Sequence, residues 1–207
     1  MNNLITYMKK LLLVMAILTG FAVDAHAQTN YNTQPRVSAG FIYGGALGAA
    51  ADNYTYASGF LVKYELPVKS IPLSLTLTSG YSFFIPQTRF YSYINPGNGG
   101  GTHVSYSAAA FVPLEIGARV YIANKLYFEG NIGASLNVNS PHEYYTDKTV
   151  ALLVSPNLGY SFRFGSSGKA GLDLSLGYEN RFESASLNYY QGNYGRLALS
   201  AAFSLGL

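Results

Sequence analysis

His103 and His142 are two of three histidines in this 207-residue chain; Ser105 and Ser140 lie two positions from them, and Glu143 adjoins His142. Serine, histidine and a carboxylate are the groups of nucleophilic acyl transfer, in which the imidazole takes the hydroxyl proton and the acid orients the ring. Such a set would hydrolyse lipid or peptide. The neighbours argue against it, because both histidines sit among Gly, Ser and Tyr residues of solvated-loop type. Two histidines without further ligands at recognisable spacing make no metal site. Gly97-Asn98-Gly99-Gly100-Gly101 lacks both the Lys-Ser/Thr ending and the strand–loop–helix setting of a phosphate loop. The expectation is no catalytic residue, no metal and no cofactor.

A second set is ionic. Lys63, Arg119, Arg163, Arg181 and Arg196, with Glu65, Glu115, Glu129, Asp173 and Glu179, all occupy the polar phase of alternating segments. Charges withdrawn from water must pair or become very costly. If Asn124 centres its turn, Arg119 falls directly opposite Glu129, within cross-strand reach. Arg163 and Asp173 form a diagonal pair beside another turn. With Lys63 and Glu65 at the same end, six charges crowd one half of the molecule.

The elements that must position these charges are strands. In the last segment Leu197, Leu199, Ala201, Phe203, Leu205 and Leu207 fall on one face, with Ala198, Ser200, Ala202, Ser204 and Gly206 on the other. A period of two means strand. Seven earlier segments repeat the pattern, at about 37–45, 54–66, 73–83, 112–122, 126–136, 152–163 and 172–181. Short turns follow the second, fourth and sixth, and longer links cover about 46–53, 87–105, 137–148 and 182–193. Pro113 and Pro156 each remove a ladder hydrogen bond, and bulges are expected there.

Charged residues make up 11% of the chain, against about a quarter in ordinary soluble domains. A soluble barrel would need charge on its outer face. One with its polar face inside and its apolar face toward lipid would not. The fold class expected is therefore all-β, an eight-stranded antiparallel up-and-down transmembrane β-barrel. Short periplasmic turns, long external loops and an even strand count fit the bacterial topology.

Lys9 and Lys10, the apolar run 11–21 and Ala25-His26-Ala27 read as a signal peptide, removed before Gln28. The expected domains are 1–27, a signal peptide, and 28–207, an outer-membrane barrel. With no cysteine, lipoprotein anchoring and a disulfide framework are both excluded. Without its signal the chain keeps 11 basic and 9 acidic residues, which is not a nucleic-acid-binding balance.

Phe111-Val-Pro-Leu-Glu-Ile-Gly-Ala-Arg-Val-Tyr-Ile122 followed by Leu126-Tyr-Phe-Glu-Gly-Asn-Ile-Gly133 resembles a hairpin of Bacteroidetes-type small outer-membrane β-barrel proteins. The architecture resembles the OmpX and OmpA-barrel class. The resemblance implies insertion by the barrel-assembly machinery, which reads an amphipathic final strand, here with Phe203, Leu205 and Leu207. No peptidoglycan-binding domain follows, so cell-wall tethering is not expected.

Tyrosine is abundant (19) and tryptophan absent. Tyr54, Tyr56, Tyr81, Tyr106, Tyr189, Tyr190 and Tyr194 cluster toward the outer end, and an interfacial girdle accounts for those nearest the strands. Tyr91, Tyr93, Tyr144 and Tyr145 lie farther out and suit a binding or adhesive surface. The leading expectation is a non-enzymatic, monomeric outer-membrane barrel with a side-chain-filled lumen, contributing to envelope integrity or adhesion. Its partners would be outer-membrane lipid, the assembly machinery and a surface ligand of unknown identity, with no nucleic acid. A narrow transport barrel for a small or apolar solute is the second reading. An enzyme at the rim acting on lipid is the third.

Overall fold

The computed structural model describes residues 34–93, 100–105, 108–123, 125–139, 148–165, 168–183 and 193–207. Ten strands follow in order: β1 Arg36–Leu47, β2 Tyr54–Pro67, β3 Leu73–Pro86, β4 Thr88–Tyr93, β5 Gly100–Ser105, β6 Ala109–Ala123, β7 Leu126–Asn137, β8 Val150–Phe164, β9 Ala170–Phe182 and β10 Tyr194–Gly206. Eight of them close a barrel in the order β1-β10-β9-β8-β7-β6-β3-β2, every neighbouring pair antiparallel. The eight-stranded up-and-down barrel expected from the sequence is the fold. The signal-peptide segment lies outside the described residues.

Alternation sorts each strand into two faces. Outward positions carry large apolar side chains left open on every barrel strand; Phe41 is 77% exposed, Ile116 and Leu199 each 65%. In water such a continuous apolar band would be a severe aggregation liability, whereas lipid is its natural surround. Among the described residues no helix is long and apolar enough to cross a membrane. All ten charged residues singled out in the sequence take inward positions.

Turn chemistry closes the short ends. Ser70 adopts a positive φ in the β2–β3 turn, as do Gly165 and Gly168 in the β8–β9 turn; glycine reaches that region without steric cost. The link predicted over 87–105 is not a plain loop. It contains β4 and β5, a separate antiparallel hairpin with Thr88 opposite Ser105 and Tyr93 opposite Gly100. The β1–β2 link forms a short 3-10 turn, Gly48–Asp52, whose Ala50 is buried. Gln87 Nε2 holds that turn by donating to the Ala51 carbonyl at 2.9 Å.

The prolines correct an expectation. Neither Pro113 nor Pro156 sits in a bulge. Register runs unbroken past both, with Pro113 opposite Ser135 and Pro156 opposite Gly130. The pairing simply lapses on the other side, between Ser79↔Leu114 and Ser82↔Phe111, and between Val154↔Asn180 and Asn157↔Gly177. At the first gap Ser79 Oγ donates to the Pro113 carbonyl at 2.9 Å, replacing a backbone donor with a hydroxyl. Pro113 has no N–H to give β3, and its own carbonyl, left without a backbone donor where the ladder lapses, is met by that hydroxyl instead.

Candidate functional site

The lumen is the site, and its centre is Arg119. Alternation from Leu114 through Ile116 and Ala118 on the outside forces Arg119 inward on β6. The β6–β7 register places it directly opposite Glu129. Its Nε donates to Glu129 Oε2 at 2.7 Å, while Nη1 reaches Glu65 Oε2 at 3.0 Å and Asp173 Oδ2 at 3.1 Å. Three carboxylates from β2, β7 and β9 thus converge on one guanidinium, whose carbon stands 3.8 Å from the Tyr127 ring centroid. The planar, permanently charged fork of arginine suits this better than a lysine ammonium would.

Two further cations complete the hub. Lys63 Nζ pairs with Glu129 Oε1. Arg163 meets Asp173 Oδ1 at 3.4 Å, the diagonal contact expected from the sequence, and Ser161 Oγ donates to the same carboxylate. Tyr121 Oη donates to Glu65 Oε1 at 2.8 Å. Arg36, which sequence reasoning passed over, is also lumenal. It donates to the Gly168 carbonyl at 2.5 Å beside the inner turn. Its parity with outward Val37 would have found it.

Glycine makes the room. A Cβ on Gly159 would stand 2.3 Å from Tyr127 Cζ, so the ring that supports Arg119 lies over a position only glycine can occupy without displacement.

Above the hub, Glu115 accepts from Ser155 Oγ, and Asn131 Nδ2 donates to Glu129 Oε1 at 3.0 Å. Among the described residues Glu115 has no cation within 4.0 Å; its place in the charge network is by position rather than by ion pairing. Toward the outer mouth Arg196 pairs with Glu179 at 2.6 Å across β9–β10. Arg181 pairs with Glu183, donates to the Lys148 carbonyl at 2.7 Å and lies 4.4 Å from the Phe111 ring centroid.

An aromatic lid covers these two arginines. Tyr54, Phe84, Phe111 and Tyr194 are buried together, with Tyr194 ring centroids 5.6 Å from Tyr54, 5.3 Å from Phe84 and 4.9 Å from Phe111. The contacts to Phe84 and Phe111 are edge-to-face, a geometry that stabilises beyond simple area burial. The lid overturns the assignment of Tyr54 and Tyr194 to an outward girdle. A register shift between Tyr54 and Tyr56 turns Tyr54 inward although Tyr56 stays outside. Tyr194 shares the inward phase of Arg196 and Ala198.

The outer-loop candidates fall differently. Tyr91 and Tyr93 lie on β4, and His103 and Ser105 on β5. Tyr144, Tyr145, Ser140, His142 and Glu143 lie outside the described residues. No group of three or more potential metal ligands occurs among the described residues.

No family model matches this chain, and no curated protein matches it in sequence. Solved structures similar to it are small membrane barrels. The attachment invasion locus protein Ail of Yersinia pestis, solved in complex with the heparin analogue sucrose octasulfate, is 12% identical with a TM-score of 0.47, over 83% of this chain and 98% of that one. A de novo designed transmembrane β-barrel is 11% identical with a TM-score of 0.42, over 86% and 100%. The outer membrane protein AlkL in DMPC bilayers is 12% identical with a TM-score of 0.37, over 86% and 90%.

Proposed function

We propose that this chain is an integral outer-membrane β-barrel of structural and surface-interaction type, without catalytic activity. One observation carries the reading: large apolar side chains face outward on all eight barrel strands, while the Arg119 and Arg196 ion pairs lie inside. An eight-stranded barrel is only wide enough for its side chains to fill. Here the Arg119 hub fills the inner half and the aromatic lid closes the outer mouth, so the barrel holds its loops rather than conducting through its middle. The outer links, with Tyr91, Tyr93, Tyr144 and Tyr145, are the surface offered to an envelope component or another cell. Assembly machinery and lipid are the partners this reading requires, with the signal peptide removed on export.

Planar-bilayer recording tests the closed lumen, combined with outer-membrane fractionation and heat-modifiable migration on gels. The expected result is a heat-modifiable outer-membrane protein without stable conductance steps. Reproducible single-channel steps from the wild-type protein would instead favour the narrow transport barrel. Extraction by carbonate or high salt alone would defeat membrane integration.

A further inference from the structure

We propose that the middle of the lumen is a hydration site, occupied by a small cluster of ordered waters bridging Arg196, Glu115, Thr78 and Ser82. Between the Arg119 hub and the aromatic lid lies a cavity of about 50 Å³, lined by these four residues together with Asn131 and Ser155 among others. A water needs roughly 10–15 Å³ of such space, so the cavity admits more than one.

Its walls carry unmet hydrogen-bonding capacity. Thr78 Oγ1, Ser82 Oγ and Arg196 Nε and Nη1 are buried and have no protein partner among the described residues. Thr78 is 8% exposed, Ser82 3% and Arg196 2%. Four orphaned polar atoms around one void would be a heavy penalty if the void were dry, since each would forfeit its water partner for nothing.

The mixture of walls selects the guest. Arg196 offers donors only, the carboxyl groups of Glu115 and Glu179 offer acceptor oxygens, and the two hydroxyls do either. A cation would face the Arg196 N–H groups, and an anion would face Glu115 and Glu179. An apolar guest would leave every wall group unmet. Water, unlike those guests, both donates to the carboxyl oxygens and accepts from the guanidinium, and it fits a void of this size. It also supplies the Glu115 carboxyl, whose direct partner is Ser155 Oγ, with further hydrogen bonds. The inference goes beyond the closed lumen: it concerns what fills the space that side chains leave.

The test uses the mature full-length chain refolded into lipid nanodiscs, checked for closure by heat-modifiable migration. Magnetisation transfer from water to the Thr78 and Ser82 side-chain protons is recorded by NMR, and melting is compared for wild type, Thr78→Val and Ser82→Ala. Each variant deletes one hydroxyl and nearly preserves shape. The hydration site requires transfer to both residues in wild type and a fall of about 2–4 °C in Tm for each variant. Absence of transfer, or a Tm unchanged or raised by either substitution, overturns it, because removing an orphan from a dry cavity relieves the fold. A chain that does not migrate heat-modifiably at all would contradict the barrel reading instead.

Discussion

Arg119 and Glu129 face each other across the β6–β7 ladder and touch at 2.7 Å with almost no solvent access, 1% and 0% for their side chains. The pair is asymmetric in its surroundings. Glu129 is shared with Lys63, itself 13% exposed, and Asp173 with Arg163, whereas Glu65 pairs with Arg119. Removing one partner of a buried ion pair costs about 3–5 kcal/mol, mostly the charge left behind.

Arg119→Ala is therefore expected to destabilise by at least that amount and more than Glu129→Ala, since it takes the shared guanidinium from three carboxylates and leaves Glu65 without a cation, whereas Glu129→Ala leaves Arg119 paired with Glu65 and Asp173. Urea or thermal melts followed by gel migration measure both. Equal losses, or melting like wild type, would reduce the hub to charges individually solvated by trapped water.

The lipid face predicts a depth-dependent penalty. Leu174→Arg and Leu199→Arg, both mid-band and outward, should each cost about 2–4 kcal/mol in refolding stability. Arg at Ser175, one residue from Leu174 but inward, should disturb the lumen and spare lipid association. Identical lipid-dependent losses at 174 and 175 would contradict the register.

At the outer mouth, Tyr194→Ala and Phe84→Ala should each cost about 3–5 kcal/mol through the space left in the lid. Neither should open a conductance, because the hub still blocks the inner half. Current steps in either variant would show that the lid is the sole barrier.

Gly159→Ala should cost about 1–3 kcal/mol by driving a methyl into the Tyr127 ring. Gly45 provides the control, since a Cβ there meets nothing within 4 Å. Comparable losses at the two sites would mean that the Tyr127 ring moves freely.

Cysteines at Asn98, Thr146 and Gln191 should label from outside intact cells, and one at Ser167 should not. The chain has no native cysteine to interfere. Labelling at 167 would invert the barrel.

Period-two alternation made the wall legible, because one burial decision per residue repeats around the whole circumference. It placed all ten network charges inward, and centring the turn on Asn124 put Arg119 opposite Glu129; that register holds up to Tyr121↔Tyr127 and shifts by one at Ala123↔Leu126, an irregularity beside the turn that alternation does not show. What it concealed follows from the same simplicity. The bulge at Tyr54/Tyr56 inverts one residue without changing composition. Phe84 and Phe111 are apolar residues in the polar phase, so a reading that equates inward with hydrophilic passes over the lid they form with Tyr194. The β4–β5 hairpin shows no clean apolar–polar alternation in Thr88–Tyr93 or Gly100–Ser105, and Pro113 and Pro156 lost hydrogen bonds without gaining residues.

Leu207 N–H donates to the Pro35 carbonyl at 2.9 Å, so the two ends of the barrel wall meet. Topologically the wall is a ring whose cut happens to fall between β10 and β1. Joining residues 35 and 207 with a short linker and opening the exposed β2–β3 turn at Ser70 would yield a circular permutant that starts at β3 and ends at β2. Exposed turns accept such breaks readily. Every antiparallel neighbour would be preserved, while the former closing seam, with Gly40 and Gly44 against Ala202 and Ala198, would become an ordinary hairpin formed early rather than last.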